Sequence, residues 1–198
     1  LGIKEVSIDD YLTSQFDYPV FLNIDVMDYN ERIDGNSANF HDFINHSSYY
    51  KSSFMKYACK SYIFIAGHYY GSGSPFLFTR EDVRSSDFNI SVVADISCDI
   101  DGPVATTIRS SSISDPIYGY NPLTESEDDF TKDNIVAVMA VDNLPCELPK
   151  DSSEDFGNQL IQNVIPLLDT DSKILNNATL CRDGKLTDNF EYLRDYIS

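Results

Sequence analysis

Four short runs of apolar residues organise the chain: Pro19 to Asp25, Tyr62 to Ala66, Val92 to Ile96 and Ile135 to Val141. Each has the length of a strand, and within each the apolar residues are nearly continuous instead of alternating with polar ones. A strand of that kind has both faces covered, which is the situation of parallel strands in α/β proteins. Between the runs, Phe40, Phe43, Ile44, Phe54, Met55, Tyr57 and Ala58 recur at roughly helical spacing, so a helix is expected over Asn39 to Lys60. Thr79 ahead of Glu81 and Asp82 predicts a second, shorter helix, because its hydroxyl can cap the first turn and the acids complement the helix dipole. Strand and helix in alternation predict an α/β fold with a parallel sheet, whose ligands sit beyond the carboxyl ends of the strands.

The remaining segments read as connections and a helical tail. Leu1 to Lys4 looks like a helix ending at a glycine cap before a strand, and polar Asp28 to Asn39 reads as a loop. Gly67 to Pro75 is a loop by its glycine and proline content, and Ala105 to Tyr120 is extended. Thr124 to Asp133 is acidic and expected to be mobile. Ser152 or Ser153 is expected to cap a long amphipathic helix reaching Leu168, with Phe156, Leu160, Ile161, Val164 and Leu167 on one face. A last helix is expected over Leu186 to Ile197.

Charge removes whole classes of function. Among 198 residues, 32 acids against 14 basic residues give a net charge of −18, which repels phosphate backbones and anionic lipid. Neither nucleic acid nor a membrane surface is expected as a partner, and every apolar run falls far short of the roughly 20 residues that a bilayer span needs. The four cysteines, Cys59, Cys98, Cys146 and Cys181, lie far apart without a CxxC pair, which reads as reduced, buried thiols in a soluble cytoplasmic protein. The N-x-S/T triplets at Asn45, Asn89 and Asn177 are read as chance.

Two segments bring acids to strand ends. Ala94 to Pro103 carries Asp95, Asp99 and Asp101, and its Ser97, Asp99, Asp101 and Gly102 mimic the opening of a calcium loop. The twelfth position, however, is Ile108 where such a loop needs a bidentate glutamate, so no metal is assigned. Met139 to Pro149 delivers Asp142 and Asn143 to the edge of a buried strand; the bland alternative is a turn whose acid caps backbone amides. His68 follows a strand and precedes the glycine loop, a placement compatible with a ligand contact, although a lone histidine is more often simply packed. His41 and His46, five apart, do not share a helix face and receive no role. Gly71-Ser72-Gly73 does not complete G-x-G-x-x-G, because the third position is Phe76.

Taken in order, Ile65-Ala66-Gly67-His68-Tyr69-Tyr70, Ala94-Asp95-Ile96-Ser97-Cys98-Asp99 and Met139-Ala140-Val141-Asp142-Asn143-Leu144-Pro145-Cys146-Glu147-Leu148-Pro149 resemble the saccharopine dehydrogenase (lysine-2-oxoglutarate reductase) family. Gly184-Lys185-Leu186-Thr187 is similar to that family's carboxyl end, and alanine dehydrogenase is a more distant likeness. The resemblance implies that residues 1–145 are the later part of a Rossmann-like nucleotide-binding domain, lacking its first strand and glycine-rich loop. Residues 146–198 are then a helical return to a missing N-terminal substrate domain, with packing against another copy in a homo-oligomer as the alternative. It further implies NAD as cofactor, with NADP as the rival, and hydride transfer at a C–N bond among lysine, 2-oxoglutarate and saccharopine. An alanine dehydrogenase-like oxidoreductase and a non-catalytic binding module are the other readings. By the same resemblance Ala66, Gly67 and His68 line the cofactor, Asp99 and Asn143 stand near the nicotinamide, and Asp142 faces the substrate, so that Asp142 and Asp99 are the catalytic candidates. Asp25, with Asp28 as its rival, is placed on the adenosine ribose. The lysine and histidine that transfer protons in the family belong to the missing domain, and this chain alone is expected to be inactive and to bind NAD weakly.

Overall fold

Near the amino end, β1 (Lys4–Glu5) is followed by α1 (Ile8–Thr13) and β2 (Val20–Phe21) in a computed structural model that describes residues 2–71 and 73–196. Leu1, and with it the expected helix end there, lies outside the described residues. Ser7 caps α1 by accepting the Asp10 amide at 3.1 Å, and Asp9 and Asp10 occupy the first turn, where the helix dipole favours them. β1 and β2 pair in parallel as a separate two-stranded sheet. The expected strand Pro19 to Asp25 is therefore only two residues long and stands apart from the main sheet. Leu22, Ile24 and Val26 lean on the core while Phe21, Asn23 and Asp25 are exposed, so this extended segment has one covered face, not two.

The single helix expected over Asn39 to Lys60 is broken into pieces. β3 (Asn30–Arg32) pairs antiparallel with β4 (Tyr50–Ser52); α2 (Phe40–Asn45) lies between them, and α3 (Met55–Ala58) follows β4. The cause lies in the side chains that converge on Asp42, which accepts from the Arg32 guanidinium and from Tyr50 Oη at 2.8 Å. Tyr50 also packs edge-to-face on Phe43, with centroids 5.1 Å apart. Tyr50 can reach both partners only if the chain turns back after α2. His46-Ser47-Ser48-Tyr49, poor in helix formers, allows that turn.

The main sheet is assembled from β5 (Ile63–Ala66), β6 (Val92–Asp95), β7 (Ile117–Asn121), β8 (Ser126–Asp128) and β9 (Val136–Met139), in the order β5-β6-β9-β7-β8. β5, β6 and β9 are parallel, as their apolar runs predict, whereas β7 runs antiparallel to both β9 and β8. Between β5 and β6, α4 (Arg80–Arg84) begins with the expected cap, completed reciprocally by the Asp82 side chain. One sheet face is buried through Ala66, Val93, Asp95, Tyr118, Tyr120, Val136 and Val138 against a core that includes Phe54 and Phe78. Phe54 meets Phe64 at 4.8 Å and Phe78 meets Phe88 at 5.1 Å, edge-on geometries that aromatic quadrupoles favour. The other face is uncovered at β5, where Ile63 and Ile65 are 57% and 64% exposed, so burial on both faces does not hold there.

The acidic stretch Thr124 to Asp133 is ordered by three arginines brought from elsewhere and by its own Lys132. Arg80 and Arg84 hold Glu125 at 3.2 and 3.0 Å, Arg109 holds Glu127 at 2.7 Å, and Lys132 holds Asp128. β8 thus exists where the sequence alone reads mobility.

The chain divides into two compact units, Leu1–Leu144 and Pro145–Ser198. In the second, α5 (Pro149–Asn163) starts at a proline, which needs no amide hydrogen bond in the first turn. Ser152 is not its cap; its hydroxyl donates to the Pro145 carbonyl at 3.0 Å. The helix stops well short of Leu168 because Pro166 lacks an amide hydrogen and disfavours helical geometry at Ile165. α6 (Lys173–Ala178) then leads into a hairpin of β10 (Cys181–Arg182) and β11 (Lys185–Leu186). Its Asp183-Gly184 turn has φ of 51° and 76°, the pairing that a two-residue hairpin favours. The expected final α-helix is instead 3-10 in type over Asp188–Tyr196, with a kink at Phe190; Ile197 lies outside the described residues. None of residues 145–196 is buried, and Phe156, Leu160 and Ile161 present an apolar strip.

Candidate functional site

Because β5, β6 and β9 run in parallel, their carboxyl ends share one edge of the sheet. Ala66 is paired with Asp95 and Ala94 with Met139, so the loops that begin at Gly67, Ile96 and Ala140 start side by side. This edge gathers His68, Asp99, Asp142 and Asn143 from three separate stretches of sequence.

The middle loop is the best organised. Asp95 is 1% exposed; one oxygen accepts from Ser97 Oγ at 2.7 Å and the Cys98 amide at 3.1 Å, and the other accepts from Thr107 Oγ1 at 2.6 Å. Cys98 adopts a left-handed φ of 52°, and its thiol lies within the influence of Asp95, Asp142 and Asp99. Burial and those three charges push the Cys98 thiol above its ordinary range. Gly102 answers a steric demand, since a Cβ there would stand 2.8 Å from both Asp99 Cβ and Asp99 O. The calcium-like spacing resolves into ordinary contacts, because Ser97 serves Asp95 and Asp101 pairs with Arg80 at 2.6 Å.

His68 carries an Nε2 that is buried and unpartnered among the described residues. Burial lowers its pKa, with Asp95 and Asp99 pulling the other way. An imidazole held neutral in this manner keeps one nitrogen able to donate and one able to accept. Beside it Gly67 is exposed, and nothing lies within 4 Å of where its Cβ would be, so its backbone is open to approach. Ala66, by contrast, is buried and its carbonyl is spent on the Ile96 amide at 2.8 Å. Asp142 and Asn143 lie exposed in the turn after β9, and their side chains make no hydrogen bond among the described residues.

Asp25 does not end a strand. β2 ends four residues before it, and its carboxylate accepts from the next amide, Val26, at 2.6 Å. Asp28 receives the Asp25 amide at 2.6 Å in the same turn, and with burial the two acids push Tyr29 up to about 12. The expectation of buried thiols also fails: Cys59, Cys146 and Cys181 are exposed and Cys98 is half-buried. Asp95 and Thr107 escaped the sequence reading as a pair, because nothing in the order of residues links positions 12 apart across an irregular loop. One open cavity of about 470 Å³ lies elsewhere, by the paired strands β3 and β4, and is lined by Asn30, Arg32, Lys51 and Lys56 among others.

The edge suits the neutral, hydrogen-bonding parts of a dinucleotide better than its charged centre. The open Gly67 backbone can meet amide and hydroxyl groups, with the His68 Nε2 covered beside it, whereas Asp99 and Asp142 disfavour a diphosphate.

Comparison with known proteins places the chain in a family. The alpha-aminoadipic semialdehyde synthase of Arabidopsis thaliana is 26% identical over 162 residues, covering 77% of this chain and 15% of that protein. The mitochondrial alpha-aminoadipic semialdehyde synthase of Mus musculus is 26% identical over 157 residues, covering 66% and 17%. The saccharopine dehydrogenase (NAD(+), L-lysine-forming) of Schizosaccharomyces pombe is 32% identical over 118 residues, covering 57% and 30%. The chain thus spans less than a third of the length of each of these relatives. Residues 22–190 match the family described as alanine dehydrogenase/PNT, C-terminal domain, and over that span, most of its length, the chain belongs to that family.

Proposed function

We propose that this chain is the later part of the nucleotide-binding domain of an NAD-dependent amino-acid oxidoreductase, most closely of the saccharopine-forming or saccharopine-cleaving kind. The observation that carries the reading is the convergence of unpartnered His68, open Gly67 and unpaired Asp142 and Asn143 on one parallel-sheet edge, in a chain of this family. Residues 1–145 are assigned to the nucleotide-binding domain and 146–198 to a return toward a substrate domain. The unpaired outer side of β5, with Ile63 and Ile65 uncovered beside it, suits a further parallel strand, and the relatives are several times longer than this chain.

In this reading the backbone around Gly67 and the His68 imidazole line the cofactor, while Asp99 and Asn143 stand toward its nicotinamide end. The nicotinamide supplies the hydride chemistry at a C–N bond when bound. Asp142, exposed and free to meet a cation, holds the amine of the amino-acid substrate. Asp25 and Asp28 are offered to the adenosine ribose, on charge alone, and NAD is favoured over NADP because carboxylates there repel a 2′-phosphate.

The test is turnover by the full-length protein that carries these residues. NADH consumption with lysine and 2-oxoglutarate is expected. Consumption only with pyruvate and ammonia moves the assignment to the alanine dehydrogenase reaction that the family description names, and none with either pair refutes the enzyme reading.

A further inference from the structure

We propose that Asp95 is the positioning residue of this edge, holding the Ser97–Asp99 turn and the Thr106–Ile108 loop in one frame beneath the cofactor; this rests on the cofactor reading above. The carboxylate ends β6 in the interior and is met by three donors, from positions two, three and twelve residues further along the chain. Two of these bonds close the turn that carries Asp99, including the amide of left-handed Cys98. The third reaches Thr107, which is fully buried and flanked by bonds that extend the frame. Its carbonyl accepts the Asp101 amide at 2.9 Å, and the neighbouring Thr106 carbonyl accepts from Tyr118 Oη at 3.0 Å.

A side chain with that role acts through others and touches no substrate. Without it the turn loses two hydrogen bonds at once, and Asp99 is free to drift relative to Gly67 and His68. Removing one member of a buried hydrogen-bonded group leaves its partners unsatisfied, and the geometry they fixed is lost. The neighbouring acids differ in this respect: Asp99 is half-buried and Asp142 exposed, while Asp95 is sealed from solvent.

The experiment is a titration of the ¹⁵N-labelled chain with NADH, following the amide resonances of Gly67, His68 and Asp99 in the wild type and in Asp95→Asn, Thr107→Val and Thr107→Ser. NMR registers binding even in the millimolar range, so weak binding by this chain suffices. Thr107→Ser, which keeps the hydroxyl, is expected to saturate with the wild type. Asp95→Asn and Thr107→Val are expected to need about tenfold more NADH, the equivalent of one buried hydrogen bond. The resonances of β5 and β9 away from Asp95 should meanwhile stay in place. Equal affinity in Asp95→Asn and wild type overturns the proposal, and where Asp95→Asn does not fold, equal affinity in Thr107→Val and Thr107→Ser does the same. Absence of any NADH-induced shift in the wild type removes the cofactor reading and this proposal together, an outcome distinct from a wild type that binds beside variants that bind equally well.

Discussion

Cys98 donates its thiol hydrogen bond to the carbonyl oxygen of Ala140 across 3.2 Å, tying the turn after β6 to the end of β9. The same placement surrounds the sulfur with carboxylates, and burial with Asp95, Asp142 and Asp99 raises its pKa. Thiolate is the reactive form, so Cys98 is expected to be alkylated at least about tenfold more slowly at pH 8 than exposed Cys59, Cys146 and Cys181. Mass-spectrometric mapping of iodoacetamide labelling over time checks this; Cys98 labelling as fast as the others would contradict the burial argued here.

Gly119 in β7 has no room for a side chain. A Cβ there would lie 2.5 Å from Asp128 O, 2.5 Å from Ile135 Cγ2 and 2.7 Å from Phe130 N, and two of those atoms are backbone that cannot swing aside. Gly119→Ala is expected to destabilise the chain by about 1–3 kcal/mol or more, through forced separation of β7 and β8. Urea unfolding with an unchanged midpoint would show that the hairpin yields more easily than its geometry implies.

Asp128 is held by the Lys132 ammonium, the Asp129 amide and the Asn121 side chain, which bring its pKa from 3.8 to about 2. A lowered folded-state pKa stabilises the native form above 3.8, and that contribution disappears as the pH falls toward 2. Carboxyl ¹³C titration should find the depressed midpoint, and Lys132→Met should move it upward. A midpoint near 3.8 in the wild type would mean that β8 is not held as described.

The tyrosines divide in the opposite direction. Burial, then Asp25 and Asp28, push Tyr29 up from 10.0 to about 12, and burial raises Tyr57, Tyr118 and Tyr120 as well. For Tyr29 the folded pKa exceeds the unfolded one, so its contribution is complete below 10 and is lost as the pH rises toward 12. Absorbance at 295 nm is expected to show a late set of phenols that ionises together with alkaline unfolding. A single transition near pH 10 would contradict this burial pattern.

Asp142 and Asn143 are exposed and unpartnered among the described residues, so substituting them is not expected to disturb folding. In the full-length protein, Asp142→Asn should lower kcat/KM for the amino acid by about tenfold or more while the NADH Kd changes little. Asn143→Ala should weaken NADH binding instead. Steady-state kinetics beside NADH fluorescence titration separates the two effects, and unchanged kinetics in Asp142→Asn returns that acid to the role of a turn residue.

The sequence by itself determined what depends on neighbours in the chain. The apolar runs at Tyr62, Val92 and Ile135 become β5, β6 and β9, because short, nearly unbroken apolar runs rich in β-branched residues favour the extended backbone of a strand. Thr79 caps α4 because its partner Asp82 is only three residues away. The edge itself was legible for the same reason, since parallel strands bring His68, Asp99, Asp142 and Asn143 to one side whatever surrounds them. Tertiary structure alone decided the rest. An Asp42 that recruits Arg32 and Tyr50 breaks a helix that spacing had promised; distant arginines order an acidic stretch; and β7 enters beside β9 from the opposite direction. Asp95 found Thr107 across 12 positions in the same way. Periodicity records whether a residue leaves water and on which face, but not which distant side chain it meets; that choice is made when the loops close and the partners come within a few ångströms.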